Sequence, residues 1–156
     1  MRKILFFISL FIGCMNMTNG GEVKWESNQV NNWQKKIDRK YLLLEGVYFK
    51  ESRCGKILES KASIKEGSVG PLQIGKGMVD YINKKCKTHF TYEDRKSYEK
   101  SVEMFFLYQE INNSNYDLDR GAHIWNAGSG KVKARWGLTE NYRKDLKKYI
   151  GDRVLS

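Results

Sequence analysis

One long segment of the chain repeats apolar residues at the spacing of an α-helix. The apolar positions recur at steps of three and four residues, at Val30, Trp33, Ile37, Tyr41, Leu44 and Tyr48. This spacing predicts one helix with a single buried face. The next position on that face, three residues beyond Tyr48, is Glu51. A carboxylate there costs free energy unless it is paired or used.

The later apolar patterns predict four further helices in one compact, mostly α-helical domain. We expect them at 78–87 (with Met78, Ile82 and Cys86 inward), after an Asp94 cap, from Asp117 to Trp125, and from a Thr139 cap to Gly151. Gly128 and its neighbours should break the third of these helices. Residues 61–77 contain four glycines and Pro71, the single proline of the chain, and so predict a long loop.

The first twenty residues have the composition of a secretory signal. Arg2 and Lys3 precede an apolar run over 4–13, which is too short to span a bilayer as a stable helix. The predicted organisation is therefore a signal at 1–20, a tether at 21–29 and a domain at 30–156. Two processing sites remain open: lipidation at Cys14, which ends a lipobox-like segment 11–14, and ordinary cleavage after 18–20.

Charge and cysteine content are consistent with an exported protein. The chain carries a formal net charge of +10, or 10 − 2 = +8 once Arg2 and Lys3 are removed. A basic protein outside the cytoplasm favours anionic wall polymers or lipid headgroups over nucleic acid. We expect Cys54 and Cys86 to form a disulfide worth roughly 3–4 kcal/mol, although two free thiols remain an alternative. The histidine and cysteine spacing predicts no metal site, and no cofactor is expected.

Glu51 is the candidate for acid/base chemistry. Partial burial raises the pKa of a carboxyl group, and a carboxyl that stays protonated near neutral pH can protonate the leaving oxygen of a glycosidic bond. Taken alone, however, Glu51 is better explained by a helix-end salt bridge with Lys50 or Arg53.

Three motifs, taken in their order along the chain, favour a catalytic role for Glu51 instead. Glu51-Ser52, the segment 67–74 (GSVGPLQI) and the segment 124–130 (IWNAGSG) resemble the E-S, G-A-x-G-L-M-Q-I and A-Y-N-A-G-x-G signatures of lytic transglycosylases with a soluble-transglycosylase-type, lysozyme-like domain. Thr139 and Tyr142 match the T-x-x-Y element of that family. The resemblance covers roughly 41–150. The sequence departs from the family at Pro71-Leu72, where Leu-Met is usual, and at Trp125, where tyrosine is usual.

The resemblance implies a lysozyme-like α+β fold with a catalytic cleft, and cleavage of the β-1,4 bond between N-acetylmuramic acid and N-acetylglucosamine. Glu51 would act as acid and then as base, while the muramic acid 6-hydroxyl closes a 1,6-anhydro ring. The loop glycines would let the backbone approach the sugar. The implied substrate-binding residues are Ser52, Gln73, Trp125, Asn126 and Tyr142. Each has a structural alternative: a helix-surface hydroxyl for Ser52, loop stabilisation for the two amides, and core packing for the two aromatic residues.

Other functions remain open. A hydrolytic, goose-lysozyme-like muramidase needs a second carboxylate, for which Glu59, Glu66 and Asp80 are the candidates. A non-catalytic wall-binding or scaffold protein would keep the fold and the basic surface. A nucleic-acid-binding or membrane-surface protein has the charge in its favour but lacks a supporting motif. For the enzyme, the expected partners are peptidoglycan strands, a membrane reached through the signal or a lipid anchor, and a secretion, conjugation or phage assembly.

Overall fold

The computed structural model describes residues 27–58, 67–130 and 132–154, and these residues are mostly helical. The helices are α1 (Ser27–Ser52), α2 (Lys76–Cys86), α3 (Tyr98–Asn112), α4 (Leu118–Ala127), α5 (Val132–Arg135) and α6 (Glu140–Val154), with 3-10 turns at Glu93–Lys96 and Trp136–Thr139. Val69 and Ile74 form an isolated antiparallel bridge. The predicted mostly α-helical class is confirmed. The expected signal and both processing sites lie outside the described residues.

Among its described side chains, helix α1 is buried only in its second half, which corrects the predicted apolar stripe. Leu43 and Val47 are fully buried, whereas Ile37 is 43% and Tyr41 53% exposed. The first half contacts the domain through Lys36, whose ammonium lies 4.0 Å from Glu110 and 5.8 Å from the centre of the Tyr116 ring. The side chains of Val30 and Trp33 lie outside the described part of the structure. Glu51 lies one helical turn beyond Val47 and therefore follows the face that is buried.

Helices α1, α4 and α6 pack on one another, and α2 packs on α3. Close approach requires glycine at two positions. A Cβ on Gly46 would lie 2.7 Å from the Leu146 side chain, and one on Gly121 would overlap Leu43. The core is formed by Leu43, Leu44, Val47, Leu72, Ile74, Val79, Ile82, Met104, Phe105, Tyr108, Tyr116, Ala122, Ile124, Trp125, Leu146 and Ile150.

The helix ends confirm one predicted cap and correct three boundaries. Asp117 caps α4 by accepting from the Arg120 N–H at 2.7 Å. Ser97, not Asp94, caps α3, because Asp94 already accepts from the Thr91 N–H at 2.7 Å. Thr139 closes the 3-10 turn before α6 rather than capping it. The last helix continues to Val154, beyond Gly151, which lacks the left-handed conformation typical of a helix end. Helix α2 runs over 76–86, close to the predicted 78–87.

No helix among the described residues combines the length and apolar character needed to cross a membrane.

Candidate active site

Glu51 and Tyr142 meet where α1 ends against α6. The Tyr142 hydroxyl donates to Glu51 Oε1 at 2.7 Å, although the two residues are 91 positions apart. Both side chains are partly buried. The hydrogen bond gives the carboxyl a fixed direction, since one oxygen is held by a group on a second helix.

Burial dominates the electrostatics of this pair. Desolvation raises the pKa of Glu51, against smaller lowering effects of the Tyr142 hydrogen bond and the Lys50 charge. Burial also raises the pKa of Tyr142 well above its ordinary value, and the neighbouring Glu51 adds to this. The phenol therefore remains a hydrogen-bond donor, and the carboxyl keeps its proton to a higher pH than an exposed glutamate.

The alternative of a salt bridge at Glu51 is not formed. Lys50 instead binds Asp145 Oδ2 at 2.7 Å, and its ammonium lies 5.5 Å from the centre of the Tyr142 ring. Arg53 lies over the Phe49 ring at 5.2 Å. Both cations that neighbour Glu51 in sequence thus have other partners. Lys50 and Asp145 also fix α6 beside α1, which holds Tyr142 in place.

The loop at 67–74 is held to the rest of the domain by Arg95, a residue that no sequence pattern singled out. Arg95 is 4% exposed. Its guanidinium donates to the carbonyl oxygens of Gly67, of Ile74 at 3.0 Å and of Tyr92 at 2.6 Å. These bonds connect the two ends of the loop. No sequence pattern indicates this role, because Arg95 stands among other charged residues.

Gly70 has a different role from the one expected. A Cβ at Gly70 would overlap the backbone carbonyl of Arg95, and the φ of Gly70 is +81°. The close approach that requires glycine here is therefore to the protein backbone. Gly67 also has a positive φ, +67°, but a Cβ there would meet nothing within 4 Å.

Gln73 and Ser52 use their polar groups inside the protein. The Gln73 amide nitrogen donates to the carbonyl oxygens of Leu58 and Gly70, both at 2.9 Å. The buried Ser52 hydroxyl donates to the Tyr48 carbonyl and accepts from the Gly55 N–H at 2.9 Å. Ser52 therefore closes the C-terminal turn of α1, and its implied role in binding the substrate is not supported. For Gln73, loop stabilisation is the role that the structure gives.

Trp125 is a core residue, which corrects its assignment to the substrate. It is 7% exposed, and its ring centre lies 5.0 Å from that of Phe105 and 5.9 Å from that of Tyr108. The reason is that residues 121–125 are buried on every side of α4. Asn126, the next residue, is exposed, and its side chain makes no hydrogen bond with the described residues. It remains available to a ligand.

The expected disulfide is not formed. Cys54 and Cys86 are free thiols. Cys54 is exposed in the turn after α1, with Sγ 4.0 Å from the Tyr149 hydroxyl, whereas Cys86 ends α2 and packs against the core. Helix α2 packs on α3, away from the α1–α6 contact, so the two thiols belong to different parts of the domain.

The buried His123 holds the start of α6 against α4. His123 is fully buried, and its Nδ1 lies 2.7 Å from the Thr139 hydroxyl. Arg143 donates to the same hydroxyl at 3.3 Å and to Asp119 at 3.2 Å, and lies over the Trp136 ring at 4.0 Å. This cluster joins α4 to the first turn of α6, next to Tyr142.

We predict that His123 makes the domain sensitive to acid. Burial lowers the pKa of His123, and the charges of Arg143, Arg120 and Arg135 act in the same direction. The unfolded chain therefore binds a proton near pH 6.5 that the folded chain does not, and stability falls as the pH drops through that value. Thermal unfolding of His123→Asn should depend less on pH between 7.5 and 5 than that of the wild type.

The exposed His89 supplies the matched control for this experiment. His89→Asn should keep the wild-type dependence on pH. Equal slopes for the two variants would contradict the role given to His123.

The chain matches no known protein-family model, no curated protein and no solved structure. Its fold and site define a small, mostly helical domain in which a partly buried carboxyl group, that of Glu51, is held by the phenol of Tyr142.

Proposed function

We propose that this protein is a peptidoglycan lytic transglycosylase in which Glu51 is the single acid/base. The observation that carries the proposal is the partly buried Glu51 carboxyl, whose pKa is raised and whose Oε1 accepts from Tyr142 at 2.7 Å. A protonated, oriented carboxyl is what a general acid for glycosidic cleavage requires. The three sequence motifs around it give the substrate class.

In the proposed reaction, Glu51 gives its proton to the oxygen that links muramic acid C1 to N-acetylglucosamine. The C1–O bond breaks, and positive charge develops at C1. The Glu51 carboxylate then takes the proton of the muramic acid 6-hydroxyl as that oxygen bonds to C1. The glutamate regains its proton, so one carboxyl serves both steps and no water is consumed.

The proposed architecture is lysozyme-like, with the glycan crossing the surface between the loop at 67–74 and the start of α6. Arg95 and Gly70 support this arrangement by fixing the loop. The exposed Asn126 is the proposed side chain for a sugar hydroxyl. Export is part of the proposal, since the substrate lies outside the cytoplasm. Recruitment by a secretion, conjugation or phage assembly likewise remains a proposal.

Product analysis tests the reaction. Purified cell-wall sacculi digested in H₂¹⁸O should release 1,6-anhydromuramic ends without ¹⁸O, because the sugar supplies its own nucleophile. Reducing ends labelled with ¹⁸O would establish the hydrolytic alternative, which needs a second carboxylate. Of the candidates for it, Asp80 already accepts from the Tyr92 hydroxyl at 2.9 Å, and Glu59 and Glu66 lie outside the described residues. Binding without any cleavage would point to the wall-binding protein instead.

We predict that Tyr142→Phe moves the pH profile of cleavage. The Tyr142 hydrogen bond lowers the pKa of Glu51 by stabilising the carboxylate, so its loss raises that pKa further. The fall of kcat on the alkaline side should then begin at higher pH. The rate at the optimum should drop about tenfold, the effect of one hydrogen bond of ~1.4 kcal/mol.

Tyr92→Phe is the matched control, because the Tyr92 hydroxyl binds Asp80 on the protein surface. It should leave the pH profile unchanged. An alkaline limb in Tyr142→Phe that stays in place or moves to lower pH would contradict the assigned contact.

A further inference from the structure

A groove lies directly beside the Glu51–Tyr142 pair, between the end of α1 and the second half of α6. Its volume is about 310 Å³, and it is lined by Phe49, Lys50, Arg53, Asp145, Lys148, Tyr149 and Asp152. This volume is at the lower end of the range for ligand sites, roughly 300–1,000 Å³. It suits one part of a ligand that extends beyond it.

Lys50 connects the groove to the proposed acid. Its ammonium lies over the Tyr142 ring at 5.5 Å, and the Tyr142 hydroxyl donates to Glu51. The groove therefore begins one side chain away from the group that holds the acid.

The charges of the groove have both signs. Lys50 and Asp145 neutralise each other at 2.7 Å. Arg53 and Asp152 form no ion pair with the described residues, and the charge of Lys148 acts on Asp145 without a salt bridge. The exposed Arg53 and Lys148 can each bind a carboxylate, and the exposed Asp152 can bind an ammonium group.

The aromatic wall argues against a sugar in this groove. Phe49 and Tyr149 stack on each other with ring centres 4.1 Å apart and planes 5° apart, and the Arg53 guanidinium lies over Phe49 at 5.2 Å. These contacts already use the Phe49 ring, so it offers little open face to a sugar.

We propose that this groove binds a short peptide that carries both a carboxylate and an amine. The inference rests on the proposed function, in which that peptide is the one attached to the muramic acid beside the cleaved bond. Arg53 and Lys148 bind its carboxylate, and Asp152 binds its side-chain amine. The protein therefore prefers glycan strands that carry their peptides over bare strands.

Binding without turnover tests this inference. The full chain with Glu51→Gln is titrated by calorimetry with N-acetylglucosaminyl-N-acetylmuramyl tetrapeptide and with the same disaccharide lacking the peptide. The peptide form should bind more tightly. Adding Arg53→Gln and Lys148→Gln should weaken the peptide form about tenfold, which corresponds to ~1.4 kcal/mol, and leave the bare disaccharide unchanged.

Lys84→Gln with Lys85→Gln is the matched control, because it removes the same charge from exposed positions on α2. Asp152→Asn should weaken peptides with a free side-chain amine and leave their N-acetylated forms unaffected. Thermal unfolding of each variant checks its folding. Equal losses in the groove and control variants, or equal affinities for the two disaccharides, would overturn the inference.

The inference and the proposed function fail in different ways. Anhydro products from the wild type together with no peptide preference would overturn the groove alone. Peptide-dependent binding without any cleavage would overturn the enzyme and keep the groove.

Discussion

Glu51→Gln is expected to lower the rate of glycan cleavage by about 10²–10⁴, the usual contribution of general acid/base assistance. Glutamine keeps the size of the side chain and can still accept from Tyr142, but it has no proton to give to the leaving oxygen. Turbidity clearing of sacculi and a zymogram measure the loss. The KM should change little, because the shape of the site is retained.

Glu45→Gln is the control for this experiment. Glu45 lies on the same helix but is exposed, so its variant should clear sacculi at the wild-type rate. Undiminished clearing by Glu51→Gln would remove Glu51 from its role and, with it, the proposed mechanism.

Glu51→Gln should also be more stable than the wild type at high pH, and this difference should grow as the pH rises. Because the pKa of Glu51 is raised in the folded protein, the folded state keeps a proton that the unfolded state has released above about pH 4.5. The wild type therefore loses stability as the pH rises through the folded pKa, whereas glutamine does not titrate. Urea unfolding at pH 5 and pH 8 should show the gain of Glu51→Gln at the higher pH. A substitution that removes activity but increases stability is typical of a functional residue.

Gly70→Ala is expected to have the largest effect on stability. The new Cβ would overlap the Arg95 carbonyl, and the backbone φ of +81° disfavours any side chain. Overpacking and left-handed strain together should lower the free energy of unfolding by ~2–5 kcal/mol. Because Arg95 also binds the two ends of this loop, cleavage should fall as well.

Gly67→Ala distinguishes the effect of the overlap from that of the left-handed strain. Gly67 has a φ of +67° but open space around it, so only the left-handed strain of ~1–2 kcal/mol applies. Chemical unfolding of the two variants should therefore differ by the cost of the overlap. Equal stabilities would show that Gly70 does not have the close contact with Arg95.

The helical class and most helix positions were predictable from the sequence, because apolar periodicity and caps are local signals. The α4 start at Asp117 is one example, since its side chain caps the helix three residues on. The sequence predicts less well which residues of α1 are buried. Periodicity marks a face as apolar, but Ile37 and Tyr41 on that face stay exposed, although the Tyr41 ring lies 6.0 Å from the Phe106 ring of α3.

The sequence also indicated which polar residues were worth testing, but not what each one contacts. Trp125 and Ser52 were assigned to a substrate on their motif positions, and both are buried inside the protein. Arg95 was missed, because its three carbonyl acceptors come from segments up to 28 residues away. Every residue has a backbone carbonyl, so the sequence does not indicate which carbonyl oxygens accept from Arg95.

The sequence by itself determined the helical domain and the choice of Glu51, because helix phase and motif order are properties of the chain. Only the tertiary structure decided that Glu51 is held by Tyr142 and not by Lys50. The reason is physical: α6 approaches α1 closely at Gly46, and this places the phenol on the carboxyl while Asp145 takes the neighbouring cation.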